Sequence, residues 1–172
     1  MAAGGLDFAA LDRIAVTVGP GSFTGLRVGL AFAKGLALAL GRPCVGVGTL
    51  EALAGSLLGD VGPVAAVIDA GRGRVYLQLF EGAASVCGPD IVTVELAIAR
   101  LAEIYSSGEF VLTGPGASLV SDAVPKAVRC EISSPDPRAV ARLAAAAPLS
   151  SPRPLYLRPP DAKAPEAKTW AA

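Results

Sequence analysis

A β-branched run, a glycine-rich turn and a long apolar segment follow one another directly near the start of the chain. The run Arg13–Val18 reads RIAVTV, and the turn Gly19–Gly21 follows it. β-Branched residues favour strands, whereas glycine beside proline favours a tight turn. Ser22 is a favoured N-cap, Phe23–Leu40 contains mainly helix formers, and Gly41 provides a stop. These signals predict a strand, a tight loop and a helix, the opening unit of an α/β fold.

Predicted strands and helices alternate along the rest of the chain, with one hairpin around a Gly-Arg-Gly turn. We divide the chain into a first unit at residues 1–60, a second α/β unit at 61–147, and a proline-rich tail at 148–172. Tyr156 and Leu157 are predicted to attach the tail to the surface. The remaining predicted elements are strands Pro43–Gly48, Pro63–Asp69, Arg74–Glu81, Ile91–Val94, Phe110–Thr113 and Val128–Ile132, and helices Thr49–Leu58 (capped by Thr49), Glu95–Tyr105 and Pro137–Ala147.

Composition argues against several functional classes. The 172 residues are 52% hydrophobic, which is ample material for a buried core. Basic and acidic residues cancel to a net charge of +0, so direct binding of nucleic acid through charge is not expected. Histidine is absent, which removes the commonest metal ligand and the usual partner of a serine or cysteine nucleophile. We therefore expect no catalytic residue, no metal and no cofactor.

The three cysteines, Cys44, Cys87 and Cys130, lie far apart and form no CxxC pair. We expect reduced, mostly buried thiols in a cytoplasmic protein, without a disulfide. The first residues lack the basic flank and apolar core of a signal peptide. Arg27 and Lys34 interrupt the longest apolar run, so a membrane-spanning helix is not expected.

The glycine-rich loop after the first strand leads into a helix N-terminus, where backbone N–H groups could bind an anion. Its candidate residues are Gly19, Gly21, Ser22 and Gly25. The Walker motif requires lysine after its last glycine, where leucine stands here, and the dinucleotide motif requires a third glycine, where Thr24 stands. A tight turn that lets strand and helix pack closely is the favoured interpretation. Ser22 is interpreted as a helix cap, because no histidine can activate its hydroxyl.

Asp69, Arg72 and Arg74 flank the predicted hairpin turn. Their charges could contact a ligand phosphate. Polar residues at a turn are usually solvated, and that interpretation is favoured here.

The predicted helix Phe23–Leu40 is apolar on nearly every side and therefore needs cover on two sides. Arg27 and Lys34, seven residues apart, share one of its faces. Small residues at every fourth position form a stripe that another backbone could approach closely; they are Gly25, Gly29, Ala33 and Ala37. Two interpretations stay open, a core helix of this chain or a helix that also contacts a partner protein.

Three ordered motifs resemble the TsaB family, also called YeaZ. Residues Gly19–Leu50 (GPGSFTGLRVGLAFAKGLALALGRPCVGVGTL) resemble the family's loop, helix and strand. Residues Asp69–Tyr76 (DAGRGRVY) resemble its D-A-R-x-G-E-V-Y hairpin, although Arg74 stands where the family has glutamate. Residues Pro154–Arg158 (PLYLR) resemble its closing P-x-Y-L-R.

The resemblance implies an α/β fold of the actin/hexokinase (ribonuclease H-like) type, with a degenerate nucleotide site and an N-terminal half truncated by about fifty residues. It implies a non-catalytic scaffold and activating partner of the TsaD paralogue, which acts with the TsaE ATPase to form threonylcarbamoyladenosine in tRNA. The strand Arg13–Val18 would be left as an unpaired edge, so association is expected, with a homodimer as one form. The implied partner interface lies on the remaining helix, at Phe23, Arg27, Leu30, Ala31 and Lys34.

Two alternatives belong to other functional classes. A glycoprotease-type (M22-like) peptidase requires a nucleophile or a metal centre. A small-molecule kinase of the same fold requires intact phosphate loops and a catalytic carboxylate from the first half. Peptidase activity that is lost in Ser22→Ala would support the former, and ATP hydrolysis by the isolated chain would support the latter.

Overall fold

A computed structural model describes residues 7–57, 62–82, 84–106 and 108–158. Apart from the second helix, the predicted elements are present with their ends within two residues of the predicted positions. The helices and strands are β1 (Ile14–Gly19), α1 (Phe23–Leu40), β2 (Cys44–Gly48), α2 (Thr49–Ala54), β3 (Pro63–Gly71), β4 (Arg74–Glu81), β5 (Ala84–Ser85), β6 (Asp90–Thr93), α3 (Val94–Ile104), β7 (Phe110–Thr113), β8 (Ala127–Cys130) and α4 (Pro137–Ala146).

Helix α2 differs from its prediction at both ends. It ends at Ala54 and is followed by Gly55, short of the predicted Leu58. The predicted cap is wrong, because Gly48 occupies the N-cap position and Thr49 is already the first helical residue. Gly48, the last residue of β2, takes the N-cap position because α2 begins at the next residue, with no loop between strand and helix. The Thr49 hydroxyl consequently has no hydrogen-bond partner in the described part of the chain.

The described strands form two sheets. β1 and β2 are parallel partners in a two-stranded sheet. The larger sheet has six strands in the order β5–β4–β3–β7–β8, and β6 also pairs with β4. β3 and β4 form the predicted antiparallel hairpin, whereas β3, β7 and β8 run parallel. The α/β class with a hairpin is therefore confirmed.

Both faces of the larger sheet are covered, which explains why its central strand β3 is nearly all apolar. One face packs against α3, where Val67, Leu77 and Leu101 are buried. The other face packs against α2, where Leu50 and Leu53 are buried. Burial of each such side chain stabilises the fold by about 1.5–3 kcal/mol. These two layers hold the second unit together.

The smaller sheet lies between α1 on one face and α4 on the other. Gly29 of α1 lies over Val16, whereas the neighbouring strand residue Ala15 and Val140 of α4 both pack against the buried cluster that contains Val45 and Val47. Neighbouring residues of a strand point to opposite faces, which separates the two helices. We propose that the predicted division near residue 61 separates the two sheets. Helix α4 is predicted in the second unit, but it packs against β1 and β2 of the smaller sheet.

The described part of the tail runs over the smaller sheet towards the hairpin. The backbone N–H of Leu155 donates to the carbonyl of Val18 at 2.8 Å. Leu157 packs with the cluster that contains the α2 leucines. Tyr156 contacts α1, so the predicted attachment through Tyr156 and Leu157 is confirmed.

Candidate functional site

The glycine-rich loop is packed against the tail at Gly19. This residue has φ +115°, and a Cβ there would lie 2.7 Å from the carbonyl oxygen of Leu155. Only glycine adopts this backbone without strain or a clash. A Cβ on Gly21 would meet nothing within 4 Å, and one on Gly25 would meet only Ser22 at 3.5 Å. The loop thus brings strand, helix and tail into close contact at one position, in line with the tight-turn interpretation.

Ser22 is the N-cap of α1, as predicted. Its Oγ accepts a hydrogen bond from the backbone N–H of Gly25 at 3.3 Å. At the other end, the N–H of Gly41 donates to the carbonyls of Ala37 and Leu38, and Gly41 has φ 61°. Both ends of α1 therefore form as the sequence predicts.

Helix α1 has one buried face and one exposed apolar face. The buried face packs along β1 and consists of Leu26, Leu30, Ala33 and Ala37. Outside that face, Val28, Phe32 and Leu38 are 64%, 73% and 85% exposed. Exposed apolar side chains of this size make α1 the candidate interaction surface of the described part of the chain. We call the exposed apolar residues Val28, Phe32 and Leu38 the α1 face.

The structure divides the five residues of the predicted partner interface between these two faces. Phe23, Arg27, Ala31 and Lys34 are exposed along one flank of the α1 face. Leu30 is only 5% exposed and packs within the chain, so we leave it out of the proposed surface. The predicted small-residue stripe likewise faces inward in part, because Ala33 and Ala37 are buried against the chain's own sheet.

Sequence reasoning missed Val28, Phe32 and Leu38. A helix that is apolar on nearly every side gives no strong period from which the inner face can be identified. The usable signal was the spacing of Leu26, Leu30, Ala33 and Ala37, which places one apolar set on a single face and leaves the other apolar residues opposite.

Arg27 joins α1 to the tail. Its Nε donates to the hydroxyl of Tyr156 at 3.0 Å. Its guanidinium carbon lies 3.8 Å from the ring centroid of Phe23, and the Phe23 and Tyr156 rings are 5.2 Å apart. This cation–π and aromatic cluster fixes the orientation of the arginine at the flank of the α1 face.

The hairpin residues Asp69, Arg72 and Arg74 are all exposed. The Asp69 Oδ1 accepts a hydrogen bond from the N–H of Gly71 at 2.7 Å, which holds the turn. Arg72 lies in the left-handed region with φ 57°. The Asp69 carboxylate therefore has a structural role in the turn.

The expectation of mostly buried thiols is wrong. Cys44 and Cys130 are half-buried at the ends of strands, and Cys87 is exposed in the connection before β6. Burial raises the pKa of the Cys44 thiol, and the nearby positive charge of Lys34 opposes that rise. In the ranges that the structure describes, no group of three or more cysteine, aspartate or glutamate side chains is placed to hold a metal ion.

Comparison with known proteins adds three findings. The family model "TsaD: tRNA N6-adenosine threonylcarbamoyltransferase" matches residues 1–151. An uncharacterised protein of Mycobacterium bovis is 35% identical over 92% of this chain and 69% of its own length. The "tRNA threonylcarbamoyladenosine biosynthesis protein TsaB" of Bacillus subtilis is 42% identical over 41% of this chain and 31% of its own length.

A solved structure supports the fold independently. A crystal structure from Pseudomonas aeruginosa, described as an uncharacterised protein with similarity to peptidase YeaZ, superposes with a TM-score of 0.77 at 27% identity. The match covers 91% of this chain and 78% of that chain. The two sheets and their helices thus define an α/β protein of the actin-like class. The chain belongs to the TsaD family and is a TsaB-like (YeaZ-like) member of it.

Proposed function

We propose that this chain is a non-catalytic scaffold and activating partner of a TsaD transferase in the formation of threonylcarbamoyladenosine in tRNA. In this role it acts in the cytoplasm with TsaD and the TsaE ATPase and contacts tRNA only through them. Membership of the TsaD family and the similarity to the B. subtilis TsaB protein support a role in this modification.

The observation that carries the partner role is the α1 face. Phe32 and Leu38 are 73% and 85% exposed on a helix whose other side is packed on β1. Covering apolar side chains of this size is favourable, at about 25 cal/mol for each Å² removed from water. By length and composition α1 could also cross a membrane. Arg27 and Lys34 on its flank, and its packing on β1, favour a protein surface over lipid.

The non-catalytic part of the proposal rests on the residues present. The sequence contains no histidine, the side chain that most often serves as a general base or metal ligand. The Ser22 hydroxyl, the obvious nucleophile candidate, is used as the α1 cap. Nothing among the described residues favours the peptidase or the kinase alternative.

Co-purification with the TsaD paralogue of the same organism tests the proposal. Wild-type chain should form a complex, whereas Val28→Glu and Phe32→Glu should each abolish it, since a charge buried without a partner costs several kcal/mol. Glu103→Lys, a charge change on an exposed residue of α3, is the control and should bind normally. Failure of the wild-type chain to bind, or unchanged binding by both α1 variants, would contradict the proposal.

A further inference from the structure

The described part of the tail crosses the carboxyl ends of one strand from each sheet. The N–H of Leu155 donates to the carbonyl of Val18 near the end of β1, at 2.8 Å. Nη1 of Arg158 donates to the carbonyl of Ala70 near the end of β3, at 3.1 Å. In open α/β sheets ligands bind in the crevice outside the carboxyl ends of the strands. The tail therefore covers the region of the fold where ligands are commonly bound.

The tail lies on apolar side chains and on the glycine-rich loop. Leu157 is half-buried and packs with the cluster that contains Leu50 and Leu53 of α2. The carbonyl of Leu155 lies so close to Gly19 that a Cβ there would be 2.7 Å from its oxygen. Lifting the tail would therefore expose part of the α2 cluster and the start of the glycine-rich loop.

Few contacts hold the tail in this position. Between residues 148–157 and the rest of the described chain, the bond from Leu155 is the one backbone hydrogen bond. Pro152 and Pro154 have no N–H to donate. Tyr156, which is 41% exposed, adds its contacts with α1. Segments with few buried contacts open locally at a lower free energy than core strands do.

We propose that residues 152–158 form a lid that lifts from the ends of β1 and β3 as one unit while both sheets stay folded. Its contacts with the glycine-rich loop, with α1 and with the hairpin then form and break together. Opening exposes the strand ends between the glycine-rich loop and the hairpin turn, and closing covers them again. The inference does not depend on the proposed function, because it concerns contacts within this chain.

Native-state hydrogen exchange of the full chain, resolved by NMR for each amide, is the first test. The Leu155 amide should exchange about a hundredfold faster than the amides in the centre of β3, since lid opening costs less than global unfolding. Low concentrations of urea should change its rate little, because lifting the lid exposes little surface. Equal protection of Leu155 and β3 would place the tail in the cooperative core and overturn the inference.

Arg158→Ala tests whether the lid moves as one unit. The substitution removes the bond to Ala70 and leaves the bond from Leu155 to Val18 in place. If both bonds belong to one opening, the Leu155 amide should exchange about tenfold faster. Arg153→Ala, at an exposed position of the same segment, is the matched control and should stay within about twofold of wild type. An unchanged Leu155 rate in Arg158→Ala would overturn the inference.

Fraying from the C-terminal end would also speed exchange at Leu155, so a measurement in the opposite direction completes the test. In a Leu157→Cys background, alkylation of the new thiol reports on the lid beyond Tyr156, and peptide mass spectrometry separates this thiol from the other cysteines. Tyr156→Phe removes the bond from Arg27 and should raise the alkylation rate about threefold when the lid lifts as one unit. An unchanged rate would indicate fraying and overturn the inference.

Discussion

Arg27 and Tyr156 lie 129 positions apart in the sequence and are joined by a hydrogen bond of 3.0 Å from Nε to the hydroxyl oxygen. Through this bond the tail lies along the flank of α1, next to the exposed apolar residues. The tail and α1 are therefore one surface, although nothing in the local sequence of either segment indicates the other.

Tyr156→Phe should lower the free energy of unfolding by about 0.5–1 kcal/mol, because it removes one exposed hydrogen bond and keeps the ring. Tyr156→Ala should cost more, since it also removes the contact with Phe23. Urea unfolding and the rate of proteolytic cleavage within the tail are the measurements. A Tyr156→Ala variant that unfolds and is cleaved like wild type would show that the tail is not held through Tyr156.

Gly19→Ala should destabilise the chain by about 2 kcal/mol or more, since a Cβ at φ +115° meets the Leu155 carbonyl oxygen at 2.7 Å. Gly21→Ala is the matched control, because a Cβ there meets nothing within 4 Å, and it should change stability by less than about 1 kcal/mol. Thermal or urea unfolding of the two variants makes the comparison. Equal destabilisation would contradict the role of Gly19 in holding the tail.

Leu30→Ala should cost about 2–5 kcal/mol of stability, because Leu30 is 5% exposed and its removal leaves a cavity. Val28→Ala, at a position 64% exposed, should change stability by no more than about 0.5 kcal/mol. Urea midpoints of the isolated variants test the assignment of the two faces. The reverse order of the two effects would mean that α1 is rotated from its position in the structure.

Tyr105 should contribute to the loss of stability at alkaline pH. Burial, with smaller effects from Cys87 and Glu81, raises the pKa of Tyr105 to about 12 from its ordinary value of 10.0. The folded state therefore resists ionisation of the phenol. The neutral Tyr105 phenol contributes fully to the free energy of unfolding below pH 10, and this contribution is lost between pH 10 and about 12.

Tyr105→Phe removes this contribution and should flatten the decline in stability between those two pH values relative to wild type. At neutral pH the change should be neutral or slightly stabilising, because the buried Tyr105 hydroxyl has no partner in the described ranges. Urea midpoints measured at pH 7 and across the alkaline range provide the test. Parallel declines for the two proteins would count against a buried Tyr105 phenol.

Local chemistry explains which parts of the fold the sequence predicts. Ser22 and Gly41 mark the ends of α1 through capping rules that act within one turn. The hairpin follows from alternating strands around a glycine turn with Gly71 and Gly73 at positive φ. These signals do not depend on distant residues, so the predicted bounds are close to the observed ones.

Long-range packing explains what the sequence does not predict. The placement of α4 on β1 depends on residues far apart in the chain, such as Ala15 and Val140, which pack against the same buried cluster. The orientation of α1 depends on β1, because the spacing of its apolar residues separates two apolar sides without showing which of them is buried. The α1 face therefore became visible only when the buried set Leu26, Leu30, Ala33 and Ala37 was known.

The most direct measurement of the central claim is formation of threonylcarbamoyladenosine on tRNA, followed by mass spectrometry, in a mixture of the TsaD paralogue and the TsaE ATPase with and without this chain. The chain alone should form no product, its addition should raise product formation by TsaD, and Val28→Glu should remove the increase. Product formation by the chain alone, or an equal yield without it, would contradict the proposed role as a non-catalytic activating partner.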